Sequence, residues 1–142
     1  MVLGGESTAT GKVANPCALL TNVEAGSVLG TETDWGDQTA ATTANAGSCQ
    51  WLPTSKAGPA GIRIELMAQA AFQATKTDHV PDQSVLPVSG VGDEAYFLKS
   101  DTAEQLYVHN GASYFDVEVT LAEAKYVEAA EKQAAGIAVK HI

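Results

Sequence analysis

The chain reads as an α+β domain: an antiparallel sheet of about five to six strands, helices packed on one face, and a long C-terminal helix. Three observations carry that expectation. Two alternating runs, "EQLYVH" and "ASYFDVEVT", flank Asn110-Gly111, a dipeptide suited to a tight hairpin turn. "IRIELMA" at 62–68 alternates Ile62, Ile64, Leu66 and Ala68 with Arg63, Glu65 and Met67, the pattern of a half-buried strand. From Leu121 to about Lys140 the residues are strong helix formers.

Taken in order, residues 1–14 are rich in Gly, Ser, Thr and Ala without a period. They read as a flexible leader or tether, followed by one domain over 15–142. Thr21 and Glu24 have the spacing of a capping box, with Leu20 before it and Gly30 placed to end the helix. That predicts a helix over 22–29 with Val23, Val28 and Leu29 buried. The Thr- and Gly-rich segment 31–47 reads as irregular, with an edge strand near 38–44. "SCQWL" at 48–52 puts Cys49 and Trp51 on one strand face. A loop follows from Pro53 to Gly61, then the 62–68 strand and a helix over 69–77. Pro87, Gly90 and Gly92 predict a loop at 81–92 before a strand at 93–99.

With Asn110 and Gly111 at the turn centre, His109 pairs with Ala112, Val108 with Ser113, Tyr107 with Tyr114 and Leu106 with Phe115. Leu106, Val108, Phe115, Val117 and Val119 then form the core face. Tyr107, His109, Tyr114, Asp116 and Glu118 share the other face. Thr120 and Glu123 repeat the capping-box spacing at the last helix. Tyr126, Ala130, Ala134 and Ile137 recur there at helical intervals, beside Val127 and Ala138.

Composition narrows the function classes. The 142 residues hold 8 Lys+Arg and 17 Asp+Glu, a formal charge of −9. No basic cluster exists to neutralise phosphates, so nucleic acid is not an expected partner. No apolar run reaches the length of a membrane span. "MVLGGESTATGK" shows neither the basic start nor the apolar run of a secretory signal.

The two cysteines, Cys17 and Cys49, are compatible with two buried thiols or with one disulfide. They lie at either end of the weakly patterned segment, where a bridge would help most. A bridge there implies an oxidising compartment. No close Cys/His cluster suggests zinc, and no metal or cofactor is expected.

"PCALLTNVEAGSVLG", "CQW", the following strand, "GVGDEAYF", the hairpin and the Ala-rich final helix resemble, in order and spacing, the DUF3558-like family of small exported bacterial cell-envelope proteins. The resemblance covers about residues 15–140. It implies an exported, disulfide-bonded, lipoprotein-like domain of uncharacterised function. It brings no catalytic residues, and the lipobox cysteine of a lipid-anchored relative has no counterpart in this chain.

Other motifs have plain structural readings. Asp93 and Glu94 are neighbours in a strand entry, and such neighbours point to opposite faces. Asp34 and Asp37 around Trp35 lack the ligand spacing of a calcium loop. His79, His109 and His141 are dispersed. No G-x-S-x-G, G-x-G-x-x-G or P-loop pattern occurs. The expected binding residues are therefore Tyr107, Tyr114 and His109, with Trp35 nearby, because aromatic side chains on a polar strand face suit contact with a ligand. The expectation is an exported, non-catalytic domain that binds a protein partner or small ligand. A structural subunit of an extracellular assembly and a small hydrolase are the alternatives.

Overall fold

A computed structural model describes residues 16–29, 33–39, 47–53, 61–77, 84–100, 104–120 and 128–142. A short 3-10 helix, Pro16–Leu19, leads into α1, Asn22–Leu29. Three strands follow: β1 (Thr33–Thr39), β2 (Ser48–Pro53) and β3 (Gly61–Met67). Helix α2 (Gln69–Thr77) then leads to β4 (Ser84–Val88), β5 (Glu94–Lys99), β6 (Glu104–Asn110) and β7 (Ser113–Thr120). The chain closes with α3, Glu128–Lys140. All strands pair antiparallel in one seven-stranded sheet, ordered β1-β2-β3-β7-β6-β5-β4. The two meanders meet where β3 pairs with β7.

The α+β class, the antiparallel sheet and the C-terminal helix agree with the sequence reading. Thr21 Oγ1 accepts the Glu24 N–H at 3.0 Å, and Glu24 Oε1 accepts the Thr21 N–H at 2.9 Å. The reciprocal pair satisfies two amides at the helix start. Leu20, just before the cap, is buried. Val23 is instead 83% exposed, because α1 turns Ala25 and Val28 inward.

Segment 81–92 is not all loop. Ser84–Val88 is an edge strand whose Pro87 pairs in register with Tyr96, and proline is tolerated at a sheet edge. The strand expected near 38–44 lies at Thr33–Thr39, with an irregularity between Trp35 and Gln38. Gly30, residues 40–46 and residues 121–127, including Glu123, Tyr126 and Val127, lie outside the described residues.

One face of the sheet carries the main core. Trp51, Ile62, Ile64, Leu106, Val108, Phe115 and Val117 are fully buried there, against Ala25 of α1 and Ala134, Ala135 and Ala138 of α3. Small side chains on α3 let it sit close to the sheet. Cys17 and Cys49 form a disulfide with a Cα–Cα distance of 5.2 Å, tying the 3-10 helix to β2.

The helices do not all lie on this face. Helix α2 packs on the other one, where Phe72 is buried with Tyr96, Leu98, Tyr107 and Tyr114 in a separate apolar cluster. Phe72 is the buried residue of α2, and three tyrosines on that face complete its surroundings.

The hairpin turn sits one residue later than expected. Asn110 pairs with Ser113, so Gly111 and Ala112 form the loop, with Gly111 at φ 62°. The pairing slides by two residues, which leaves each side chain on its predicted face. Tyr107 now faces Asp116, and His109 faces Tyr114.

Asp93 holds this turn. Its Oδ2 accepts the Gly111 N–H at 2.8 Å, and its own N–H donates to the His109 carbonyl at 2.8 Å. Gly92 makes the approach possible. Its φ is 59°, and a Cβ there would stand 2.7 Å from the His109 carbonyl oxygen. Gly92→Ala is therefore expected to destabilise the fold by about 2 kcal/mol or more, read by urea denaturation. Gly90→Ala, with φ 85° and open space around it, is the milder comparison.

Candidate functional site

The second face of the sheet is divided in two. Its aromatic half lies under α2. Phe72 meets Tyr96 and Tyr114 at centroid distances of 5.1 and 5.4 Å. Tyr96 stacks on Tyr107 at 5.1 Å, and His109 stacks on Tyr114 at 4.3 Å. Tyr96 donates its hydroxyl to the Phe72 carbonyl at 2.8 Å. An ion pair from Lys76 to Glu94, 2.6 Å, fastens the helix to β5.

This corrects the aromatic binding face. Tyr107 and Tyr114 are only 9% and 8% exposed, so their rings are a second core rather than an open platform. His109 is half-buried, stacked on Tyr114, with Nε2 2.8 Å from the Gly111 carbonyl oxygen. The side chains of β1, Trp35, Asp34 and Asp37 among them, lie outside the described residues. Asp93 serves the turn and Glu94 the helix α2 contact.

The other half of this face, on β2, β3 and β7, carries polar side chains. Gln50 pairs in register with Arg63, Arg63 with Glu118, Glu65 with Asp116 and Gly61 with Thr120. Period-2 alternation on each strand puts all these side chains on the side away from Ile62, Ile64, Val117 and Val119. A half-open cleft of about 80 Å³ lies here, lined by Gln50, Leu52, Gly61, Arg63, Glu118 and Thr120.

Asp116 lies at the boundary of the two halves. It is 3% exposed, and its Oδ1 has no hydrogen-bond partner. Burial pushes its carboxyl up to about 7; Glu65 and Glu118 push the same way, and Arg63 opposes them. Burial, then the Asp116 charge, pushes the facing Tyr107 hydroxyl up to about 12. Arg63 Nη1 reaches Glu65 Oε1 at 3.3 Å, and both side chains are substantially exposed. Among the described residues, no group of three or more His, Cys, Asp or Glu is arranged to hold a metal ion.

No family model matches the chain. No curated protein and no solved structure matches it either. The site therefore stands on its own chemistry. It offers acceptors in a polar cleft, the Arg63 guanidinium paired with Glu65 and, on the same face, the buried carboxyl of Asp116. Sequence reading placed Asp116 and Glu118 on this face but did not assemble them with Arg63, Glu65, Gln50 and Thr120. Alternation alone puts Arg63 and Glu65 on the non-core side of β3; the pairing of β3 with β7 was the missing link.

A second carboxyl is buried on the core side. Glu131 of α3 is fully buried; its Oε2 accepts the Val119 N–H at 3.1 Å, and its Oε1 has no partner. Burial pushes it up to about 9 against that hydrogen bond, with Glu104, Glu118 and Asp116 adding to the rise. Both carboxyls bind protons more tightly in the folded chain than in the unfolded one. Their own contribution to stability is therefore greatest at acid pH, and it falls as pH rises from 3.8 to about 7 for Asp116 and from 4.5 to about 9 for Glu131. Urea titrations across pH should show that decline. Asp116→Asn should remove only its own share of the decline, which ends near 7, and Glu131→Gln the share that runs from 4.5 to about 9.

Proposed function

We propose that this domain is exported and acts as a non-catalytic binding module, at the cell envelope or outside the cell, for a protein partner or small ligand. Its binding face is the polar half of the sheet on β2, β3 and β7. The observation that carries this reading is the half-open polar cleft lined by Gln50, Arg63, Glu118 and Thr120; on the same sheet face Asp116 holds a buried oxygen without a hydrogen-bond partner. Buried polar atoms normally find partners, and exceptions call for a functional or solvent explanation. The Cys17–Cys49 bridge supports an oxidising compartment. The order of motifs resembling DUF3558-like envelope proteins supports the same location. No helix among the described residues is long and apolar enough to cross a membrane.

The test is retention of envelope components by the immobilised, oxidised protein. Arg63→Ala/Glu118→Ala should weaken retention by about tenfold or more, equivalent to ~1.4 kcal/mol. Tyr114→Phe keeps the buried ring and should leave retention unchanged. Equal retention by wild type and the double variant, or none by wild type, overturns the reading.

A further inference from the structure

We propose that Asn110-Gly111 is a self-modification site held in check by Asp93. With the Asp93 carboxylate on the turn the pair is stable; with it withdrawn, Asn110 cyclises onto the Gly111 amide and loses ammonia. The inference is independent of the binding face proposed above.

The sequence supplies the reactive pair. Asn110 and Gly111 make the one Asn-Gly step in the chain. Glycine has no Cβ to obstruct its amide nitrogen, so that nitrogen can reach the carboxamide carbon of Asn110. The step balances without oxidant or reductant. The Gly111 nitrogen gives its proton to solvent hydroxide and attacks Asn110 Cγ. The new C–N bond closes an imide, the Cγ–Nδ2 bond breaks, and the departing nitrogen takes a proton from water to leave as ammonia. Water then opens the imide at either carbonyl, and position 110 becomes aspartyl or isoaspartyl.

The fold decides whether that nitrogen is available. Gly111 is exposed and opens the loop between the paired residues Asn110 and Ser113, so solvent reaches it. The first N–H of such a loop lies outside the hydrogen bond that closes the turn. Here it donates to Asp93 Oδ2 at 2.8 Å. That contact opposes the reaction twice. It holds the proton that must leave, and it sets a carboxylate beside a nitrogen that must itself become negative.

Asp93 is anchored for this role. Its N–H donates to the His109 carbonyl at 2.8 Å, through the close approach at Gly92 that leaves no room for a Cβ. His109 Nε2 lies 2.8 Å from the Gly111 carbonyl oxygen and fixes the far side of the same residue. Conversion runs one way, because the ammonia is lost to solvent. An aspartyl side chain at position 110 brings a second carboxylate to a turn that already holds Asp93. An isoaspartyl residue adds a backbone carbon where β6 enters the loop. Either product loosens the clasp on the hairpin.

The experiment is peptide mapping by mass spectrometry of the full oxidised chain, incubated in mildly alkaline buffer with and without unfolding urea. Conversion at position 110 is read from the mass gained when –NH2 becomes –OH. Folded wild type should convert more slowly than the unfolded chain by about tenfold or more. Folded Asp93→Ala should convert about tenfold faster than folded wild type. In urea the two chains should convert equally, which shows that Asp93 acts through the fold and not through neighbouring sequence. Asn110→Gln, whose longer side chain needs a larger ring, marks the background. If Asp93→Ala does not fold by circular dichroism, Asp93→Asn takes its place. It keeps an oxygen for the Gly111 N–H without the charge, and it should convert several-fold faster than wild type. Equal conversion of folded and unfolded wild type, or a folded Asp93 variant as slow as folded wild type, overturns the proposal.

Discussion

Phe115→Ala is expected to destabilise the domain by about 3–5 kcal/mol. Phe115 is fully buried on β7, at the middle of the sheet, with Val108 opposite on β6 and Leu66 opposite on β3. Truncation removes apolar contact within the core cluster and leaves a cavity beneath the sheet, with little freedom for the paired strands to close over it. The sheet order explains why this site outranks most others: β7 joins the two meanders, so its loss loosens both. Urea denaturation with the slope held constant measures the effect. A loss under about 1 kcal/mol would mean that the hairpin faces are reversed, since a one-residue slip exchanges them.

Removing the disulfide is expected to cost about 3–4 kcal/mol, the loop-entropy value for a bridge with a sequence separation of 32. Cys17 and Cys49 are both buried, one in the 3-10 helix and one on β2 between β1 and β3. The bridge restrains the whole connection through α1 and β1 in the unfolded chain. Cys17→Ser/Cys49→Ser should lower the urea midpoint accordingly. Intact mass before and after reduction and alkylation should show one bridge and no free thiol in protein purified without reductant.

Local chemistry was readable in the residues, and long-range pairing was not. The Thr21/Glu24 cap depends on residues three apart, and it stands as the sequence implies. The faces of β6 and β7 follow from alternation, so they survive a turn that moved by one position. The side taken by α2 depends on Phe72 meeting Tyr96, Tyr107 and Tyr114, which come from three later strands. Nothing within 69–77 encodes that choice. The same contact converts the apparent tyrosine platform into core.

Strand β4 was hidden because Pro87 reads as a breaker; only its pairing with β5 shows it to be an edge strand. The polar cleft depends on β3 lying beside β7, a neighbour relation that short-range pattern does not specify. Glu131 is different, because a signal was present. It shares helical spacing with Ala134, Ala135 and Ala138, the residues α3 buries. A carboxylate in that stripe reads as solvated until the Val119 N–H is seen to need an acceptor.

The central claim is that α2 closes the aromatic half of the second face and leaves the polar half available for binding. Side-chain NMR relaxation in the presence of a soluble paramagnetic agent tests it without any ligand. Gln50, Arg63 and Glu118 should relax strongly, while the rings of Tyr107 and Tyr114 remain protected. Tyrosine rings relaxed as strongly as Arg63, or Gln50 and Glu118 as protected as Phe115, would contradict it.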